Sequence, residues 1–400
     1  MSDAATPTPP SDRIVSLDAI RGLAVLGILL INVWVFAMPE SVLLNPQTYG
    51  DLTGANYWAW LAAHVFAKSK FITLFSALFG AGILLFTDSK RRDGEAAMGL
   101  YYRRIGWLLL AGLGHAYLLW YGDVLVAYAF CGLLLVSFRN REPAVLARLG
   151  VLFLLAPFAT ELFAAIAQGP SVIAQQWQPP AATLQQEVAT YRSGWLAQMD
   201  HRVPTAFRRQ TSGFVGSTLW RAGGSMFLGM ALYRWGVLTG ERSTQFYRRL
   251  VAVGVVGLLV VLAGVWYIEA NDWSADAAMY WRQFNHWGSL LVAGGYVGAV
   301  TLYTRWRPTG IVTRTLAAVG RTAFTNYLFQ TVLATSIFYG HGLGLFGRLD
   351  RVELLGVVVV IWAVQIALSV LWLRFFRFGP VEWCWRTLTY GERQPVWRGE

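Results

Sequence analysis

The sequence predicts an all-α fold, a polytopic membrane helix bundle of about ten transmembrane helices with both termini in the cytoplasm. Three observations support this prediction. The chain has 400 residues, of which 56% are hydrophobic and only 14% are charged, and a soluble protein of this length would need a more polar surface. It contains 19 Trp and 17 Tyr, whose rings favour the membrane–water boundary. Long apolar runs also recur along the whole chain.

Ten runs are apolar over roughly 17–25 residues, the length that an α-helix needs to cross a bilayer. They cover residues 16–38, 68–87, 104–120, 122–138, 144–168, 213–236, 249–269, 287–304, 315–339 and 352–375.

The positive residues set the orientation of these helices. With the N-terminus inside, the connection that contains Lys90, Arg91 and Arg92 is cytoplasmic, whereas the outer connection 39–56 has no Lys or Arg. Cytoplasmic loops of membrane proteins carry an excess of Lys and Arg. We therefore expect a multi-pass membrane protein with both termini on the cytoplasmic side. The net charge of +11 then reflects topology rather than a nucleic-acid partner.

A single transmembrane domain, residues 13–390, lies between a disordered, Pro-rich tail (1–12) and a C-terminal tail (391–400). Residues 169–212 form a long outer loop with an amphipathic helix, which could be a lid or a passive surface helix. Residues 377–390 form an interfacial helix, because Gly and Pro stop the last span and aromatic residues follow. The two cysteines provide no disulfide framework or metal site, and no metal is predicted.

The first apolar run, SLDAIRGLAVLGILLINVWVFAM, carries three side chains that hydrocarbon penalises. At about 100° per residue, Asp18, Arg21 and Asn32 fall within an arc of roughly 60°, so all three can face the bundle interior. Asp18 and Arg21 can pair near the cytoplasmic boundary, either as a structural clasp or as part of a site. Asn32 lies in the outer half of the bilayer, where it can serve a site or join two helices.

A very short outer turn separates His115 from Asp123 in the stretch GLGHAYLLWYGDVLVAYAF. The turn should bring Asp123 back beside His115, and a carboxylate in that position fixes the tautomer of a His and raises its basicity. Ionisable groups inside membranes are commonly functional. A structural role is the alternative for both, since a buried His can be a hydrogen-bonding partner and a carboxylate is favoured at a helix N-terminus.

Further polar groups lie at the same depth. Glu161 is late in the fifth span and Arg221 is early in the sixth, so they could bridge each other, or Arg221 could hold an anion. Asn326 and Gln330 share a face of the ninth span with Thr322, and their amides could also join helices. Because lipid cannot solvate a polar layer of this kind, the layer must line a cavity or satisfy itself.

Arg21, Arg104 and Arg321 lie at the cytoplasmic ends of their helices. Guanidinium groups bind phosphates well, so these three are the candidates for binding a phosphorylated cofactor from the cytosol. Each of them could also set the topology or contact lipid headgroups.

Six stretches of the chain read SLDAIRGLAVLGILLIN, KFITLFSALFGAG, GLGHAYLLWYGDVLVAYAFCG, FLGMALYRWGVL, VGRTAFTNYLFQT and FGPVEWCWRTLTY. Together they resemble the YeiB-type bacterial membrane proteins, whose C-terminal half is a domain of unknown function. This resemblance implies a multi-pass protein of the bacterial cytoplasmic (inner) membrane. The N-terminal signature is also similar to that of heparan-alpha-glucosaminide N-acetyltransferase and other transmembrane acyltransferases, in which cytosolic acyl-CoA serves an acceptor across the bilayer. Asn32 matches the Asn of their first helix, whereas the outer loop after it lacks their catalytic His.

The resemblance implies a membrane-embedded acyltransferase with acyl-CoA as co-substrate. The residues themselves, rather than the resemblance, suggest that the three arginines lie near the CoA phosphates and that His115 is the general base. In this hypothesis Asp123 orients His115, and Asn32 or Asn326 donates to the developing oxyanion. The residues expected to contact substrate are Asn326, Gln330, Glu161 and Arg221.

Two other functions fit the same residues. One is a transporter or channel for a small polar or lipidic solute, with His115 and Asp123 as a proton relay. The other is a non-catalytic protein that binds a lipid or a quinone. Membrane lipids are the expected partners, and the sequence leaves a homodimer open.

Overall fold

The protein is an all-α helical bundle, which confirms the predicted fold class. The computed structural model describes residues 14–89 and 95–398, without the side chains of 89, 95–97 and 160–173, so the expected N-terminal tail lies outside the described residues. The α-helices of this part are α1 (Val15–Ala37), α2 (Gly54–Phe66), α3 (Lys70–Ser89), α4 (Glu95–Gly114), α5 (Leu125–Leu135), α6 (Pro143–Trp177), α7 (Ala181–Arg192), α8 (Met199–Gln210), α9 (Leu219–Arg234), α10 (Thr244–Ala270), α11 (Ala275–Trp306), α12 (Ile311–Arg321), α13 (Ala323–Phe338), α14 (Arg351–Phe375) and α15 (Pro380–Tyr390).

All ten predicted spans are helical, and the chain is a membrane protein. Within the described residues, four stretches are long and apolar enough by themselves to cross a bilayer, namely Val15–Ala37, Gly54–Asp88, Thr244–Ala270 and Arg351–Phe375.

The helices differ from the predicted spans most clearly at two breaks. An additional helix, α2, precedes α3, and the chain breaks between them at Ser69, which has a φ of 70°. The predicted span 315–339 is two helices, because the chain leaves helical geometry at Thr322. The Glu382 carboxylate of α15 accepts the first backbone N–H groups of α13, from Phe324 at 2.7 Å and Thr325 at 3.1 Å, so it caps the new helix start.

The Arg-rich connections meet on one face of the bundle, called here the inner face. Arg234, at the end of α9, donates to the carbonyl of Arg139 at 2.8 Å. Arg305, at the end of α11, donates to the carbonyl of Gly240 at 2.6 Å. This clustering is what the alternating loop charges predict.

Glycines let neighbouring helices approach backbone to backbone. A Cβ atom built on Gly22 of α1 would lie 2.0 Å from the carbonyl oxygen of Leu316 in α12. A Cβ atom on Gly229 of α9 would lie 1.9 Å from the carbonyl oxygen of Ala77 in α3. Small residues at such crossings allow close van der Waals packing between helices. This packing stabilises helix association in a membrane, where the hydrophobic effect does not. These contacts fix α1, α3 and α12 around the inner cavity described below.

The predicted outer loop contains the end of α6 and the two helices α7 and α8. It packs on the outer end of the bundle. The Trp195 indole donates to the carbonyl of Leu118 at 2.8 Å, and Arg192 Nε donates to the carbonyl of Phe346 at 2.7 Å. The backbone N–H of Gly340 donates to the carbonyl of Tyr191 at 2.8 Å. The segment is therefore tied to both the α4 end and the α13–α14 connection.

The stability of this outer segment should depend on pH through Glu187. Burial raises the pKa of Glu187 to about 7, and the neighbouring Glu40 carboxylate also raises it. A hydrogen bond from the Glu40 backbone N–H at 3.1 Å acts in the opposite direction and lowers this pKa. Between the ordinary pKa of 4.5 and about 7 the folded protein binds a proton that the unfolded chain has released. Stability should therefore fall as the pH rises from 4.5 to 7.

We expect Glu187→Gln to flatten this slope when the thermal unfolding midpoint is followed by Trp fluorescence. Glu142→Gln is the control, because the exposed Glu142 makes no side-chain cap at the start of α6. A slope that stays the same in the Glu187 variant contradicts the prediction.

Candidate functional site

A cavity of about 350 Å³ opens at the inner face. Helices α1, α3, α4, α5, α12, α13 and α15 contribute to its wall. Both Phe86 and Phe75 line it, so it extends about 16 Å along α3 at the helical rise of about 1.5 Å per residue. Most of the deeper lining is aliphatic or aromatic, so the interior suits a hydrocarbon chain.

The mouth of this cavity is strongly positive. Among the residues that the structure describes, two carboxylates lie in its wall, Asp18 and Glu382. The arginines outnumber them and are Arg21, Arg104, Arg321, Arg377 and Arg386. An excess of guanidinium groups over an apolar interior is the arrangement that binds an amphiphile with an anionic head.

The structure brings all three predicted arginines to this one cavity. Arg21 pairs with Asp18 at 2.7 Å, as its spacing suggested. Arg321 donates to the backbone carbonyl of Arg377 at 3.1 Å, which joins α12 to the segment after α14. Arg104 faces them from α4.

Arg104 is held by stacking. Its guanidinium carbon lies 3.6 Å from the ring centroid of Trp385, and the Trp385 indole donates to the Arg104 carbonyl at 2.9 Å. Among the described residues none accepts a hydrogen bond from the Arg104 guanidinium. Stacking occupies the face of the guanidinium and leaves its N–H edge for a ligand, which suits a phosphate.

A second cluster of polar side chains lies deeper in the bundle. His115 Nδ1 is 2.8 Å from Asp123 Oδ1, and His115 Nε2 is 2.9 Å from the hydroxyl of Thr331. The side chains of His115 and Asp123 are each 1% exposed, and Thr331 is 1% exposed. This His115–Asp123–Thr331 cluster joins α13 to the turn between α4 and α5.

Local structure fixes the cluster. Residues His115–Leu119 form a π-helical turn at the end of α4, and turns of this kind are frequent at functional sites. The second oxygen of Asp123 accepts the backbone N–H of Val126 at 2.8 Å, so this carboxylate also caps the start of α5. The sequence offered two interpretations of Asp123, as the partner of His115 and as a helix cap, and its side chain has both roles.

Tyr327 separates the cluster from the cavity. It lines the deep end of the cavity, and its ring centroid lies 5.2 Å from that of His115. Its hydroxyl accepts the backbone N–H of Val124 at 3.3 Å. His115 itself does not line the cavity, so one aromatic ring stands between the two candidate regions.

In the described part of the chain, the polar residues predicted to lie at one depth do not line one common cavity. The amide of Asn326 donates to Thr322 at 2.9 Å and to Ser369 at 3.0 Å. Gln330 donates to the carbonyl of Val25 at 3.0 Å. These amides join α13 to α14 and α1. Both residues therefore have the helix-joining role that the sequence offered as the alternative to a binding site.

The other predicted residues lie apart. Asn32 is half-buried, and its side chain has no hydrogen bond with the described residues. Arg221 donates to the hydroxyl of Ser69 at 3.2 Å, at the break between α2 and α3. The side chain of Glu161 lies outside the described residues.

Sequence reasoning missed two site residues. Thr331 follows Tyr327 by four residues, so the two share a helix face, and that spacing was a usable signal. Trp385 was expected only as one of the aromatic residues of the interfacial helix 377–390, because nothing local in the sequence pairs it with Arg104.

Comparison with known proteins gives the family. Residues 232–392 match the family described as "Protein of unknown function (DUF418)". The Escherichia coli "Uncharacterized protein YeiB" is 35% identical over 400 residues, which covers 96% of this chain and 98% of that protein. The Bacillus subtilis "Uncharacterized protein YxaH" is 31% identical over 408 residues, which covers 98% of this chain and 97% of that protein. The chain therefore belongs to the YeiB family, and its C-terminal part is the DUF418 domain.

Proposed function

We propose that the protein is a membrane-embedded acyltransferase that takes its acyl group from cytosolic acyl-CoA. Arg104 supports this proposal, because it is stacked on Trp385 at the mouth of an apolar cavity and none of the described residues accepts a hydrogen bond from its guanidinium. The phosphates of CoA would bind at this mouth, and the acyl chain would lie against the apolar wall.

The chemistry would take place at the deep end of the cavity. His115 would accept a proton, and Asp123 would hold its ring in one tautomer. The pair is buried, so its electrostatic interactions are little screened by water. Tyr327 must turn aside before an acyl group can reach His115, because its ring now lies between them.

Calorimetry with purified protein and octanoyl-CoA tests the proposal. We expect saturable binding that Arg104→Met weakens about tenfold or more, since a hydrogen bond to a charged group contributes roughly 1.5–3 kcal/mol. Arg103→Met is the matched control, because Arg103 is exposed next to Arg104 on α4 and does not line the cavity. The proposal is wrong if octanoyl-CoA gives no heat of binding with the wild-type protein.

A second function, non-catalytic binding of an anionic lipid, is favoured by the interior of the cavity. The hydroxyls in its wall are already engaged: Tyr101 donates to the carbonyl of Gly132 at 2.9 Å, and Tyr128 lies 2.6 Å from the hydroxyl of Ser76. The wall thus offers little to the amides of pantetheine. A lipid phosphate that binds while octanoyl-CoA does not would support this second function.

A further inference from the structure

We infer that Thr331 is a nucleophile that carries the acyl group as an ester, with His115 as its base and Asp123 as the residue that positions His115. This inference rests on the proposed acyltransferase function. It adds a covalent step and assigns that step to a residue that the family resemblance does not point to.

The hydrogen bonds define which atom is the base. An ionised carboxylate only accepts hydrogen bonds, so in the tautomer in which a neutral His115 ring donates to Asp123, Nδ1 carries the hydrogen. His115 Nε2 is then an acceptor, and the group that it faces at 2.9 Å is the Thr331 hydroxyl. In this tautomer the hydroxyl donates to Nε2, which is the relation between a nucleophile and its base in hydrolytic triads.

Thr331 differs from several hydroxyl side chains on the described helices, which donate within their own helix. Ser76, Thr87 and Thr335 each donate to the backbone carbonyl four residues earlier, as helical Ser and Thr commonly do. The Thr331 hydroxyl is directed across to another helix, onto a ring nitrogen. His286 provides the matching contrast, because its Nε2 lies 3.0 Å from the carbonyl of Leu154 and must donate there.

The position of Thr331 connects it to the cavity. It follows Tyr327 on α13 by one helical turn, about 6 Å along the axis. Tyr327 lines the deep end of the cavity and contacts the His115 ring. Rotation of the Tyr327 side chain would therefore open the apolar interior onto the Thr331 hydroxyl.

The proposed step balances without a further reagent. Thr331 Oγ1 attacks the thioester carbonyl and His115 Nε2 takes the hydroxyl proton. The C–O bond forms, the C–S bond breaks, and His115 returns the proton to the sulfur of the departing CoA. An acceptor hydroxyl or amine later attacks the ester, gives its proton to His115, and Thr331 leaves with that proton.

The test is a single turnover without an acceptor. Wild-type protein mixed with octanoyl-CoA should release one CoA thiol per chain in a rapid burst, and mass spectrometry should find an octanoyl ester on Thr331. Thr331→Ser should keep the burst and the adduct. Thr331→Val should lose both, while Thr335→Val should behave as wild type because the Thr335 hydroxyl donates only within its own helix.

The outcomes separate the two proposals. A full burst in Thr331→Val, or an adduct on His115, overturns the nucleophile and leaves the acyltransferase in place. Octanoyl-CoA that neither binds nor releases thiol with wild-type protein removes the acyltransferase itself. Thermal unfolding midpoints of the variants are measured alongside, and if Thr331→Val does not fold, the location of the adduct in Thr331→Ser decides the question.

Discussion

Gly82→Leu should abolish the binding of octanoyl-CoA while the protein remains folded. Gly82 lies on α3 in the wall of the inner cavity, and a Cβ atom built on it meets no atom of the described residues within 4 Å. An isobutyl group at this position therefore enters the empty space that the acyl chain would occupy, without pushing on a neighbouring helix. The expected result is no measurable heat with octanoyl-CoA, since a ligand excluded from its cavity loses its apolar contacts.

Gly356→Leu is the matched control. Gly356 is also a helical glycine with nothing within 4 Å of its Cβ position, but it is exposed on α14 and does not line the cavity. It should bind octanoyl-CoA as the wild type does, with a similar unfolding midpoint. Unchanged binding in Gly82→Leu would mean that the acyl chain does not occupy the inner cavity.

Gly229→Ala should destabilise the protein by about 3 kcal/mol or more, at the upper end of the cost of overpacking a core. The added methyl group would lie 1.9 Å from the carbonyl oxygen of Ala77, so α9 and α3 must move apart. The crossing cannot relax by rotating a side chain, because the contacted atom belongs to the backbone. The measurements are the thermal unfolding midpoint and the yield of monodisperse protein.

Gly106→Ala gives the opposite expectation. Its Cβ position on α4 is open, and Ala is favoured over Gly in a helix by about 1 kcal/mol, so this variant should be neutral or more stable. If both variants kept the wild-type midpoint, the close α3–α9 crossing would not contribute to stability.

The sequence predicted those features that depend on local composition. Apolar length located α1, α10 and α14, and loop charge located the arginines that meet at the inner cavity. The pairing of His115 with Asp123 followed from the short turn between them, a contact that crosses few residues.

The features that were missed depend on which helix faces which. The partner of His115 on the ring nitrogen Nε2 is 216 residues away, and the Arg104–Trp385 stack joins residues 281 apart. In a membrane, the glycine contacts and shape of each helix decide such neighbours, and the apolar pattern alone carries little of that information. The break at Thr322 was missed for the same reason, since the carboxylate that caps α13 comes from α15.

Helix α15 supplies both the Trp385 ring that holds Arg104 and the Glu382 cap of α13. One short helix therefore couples the orientation of the Arg104 guanidinium to the helix break at Thr322, and a displacement of α15 would disturb both together.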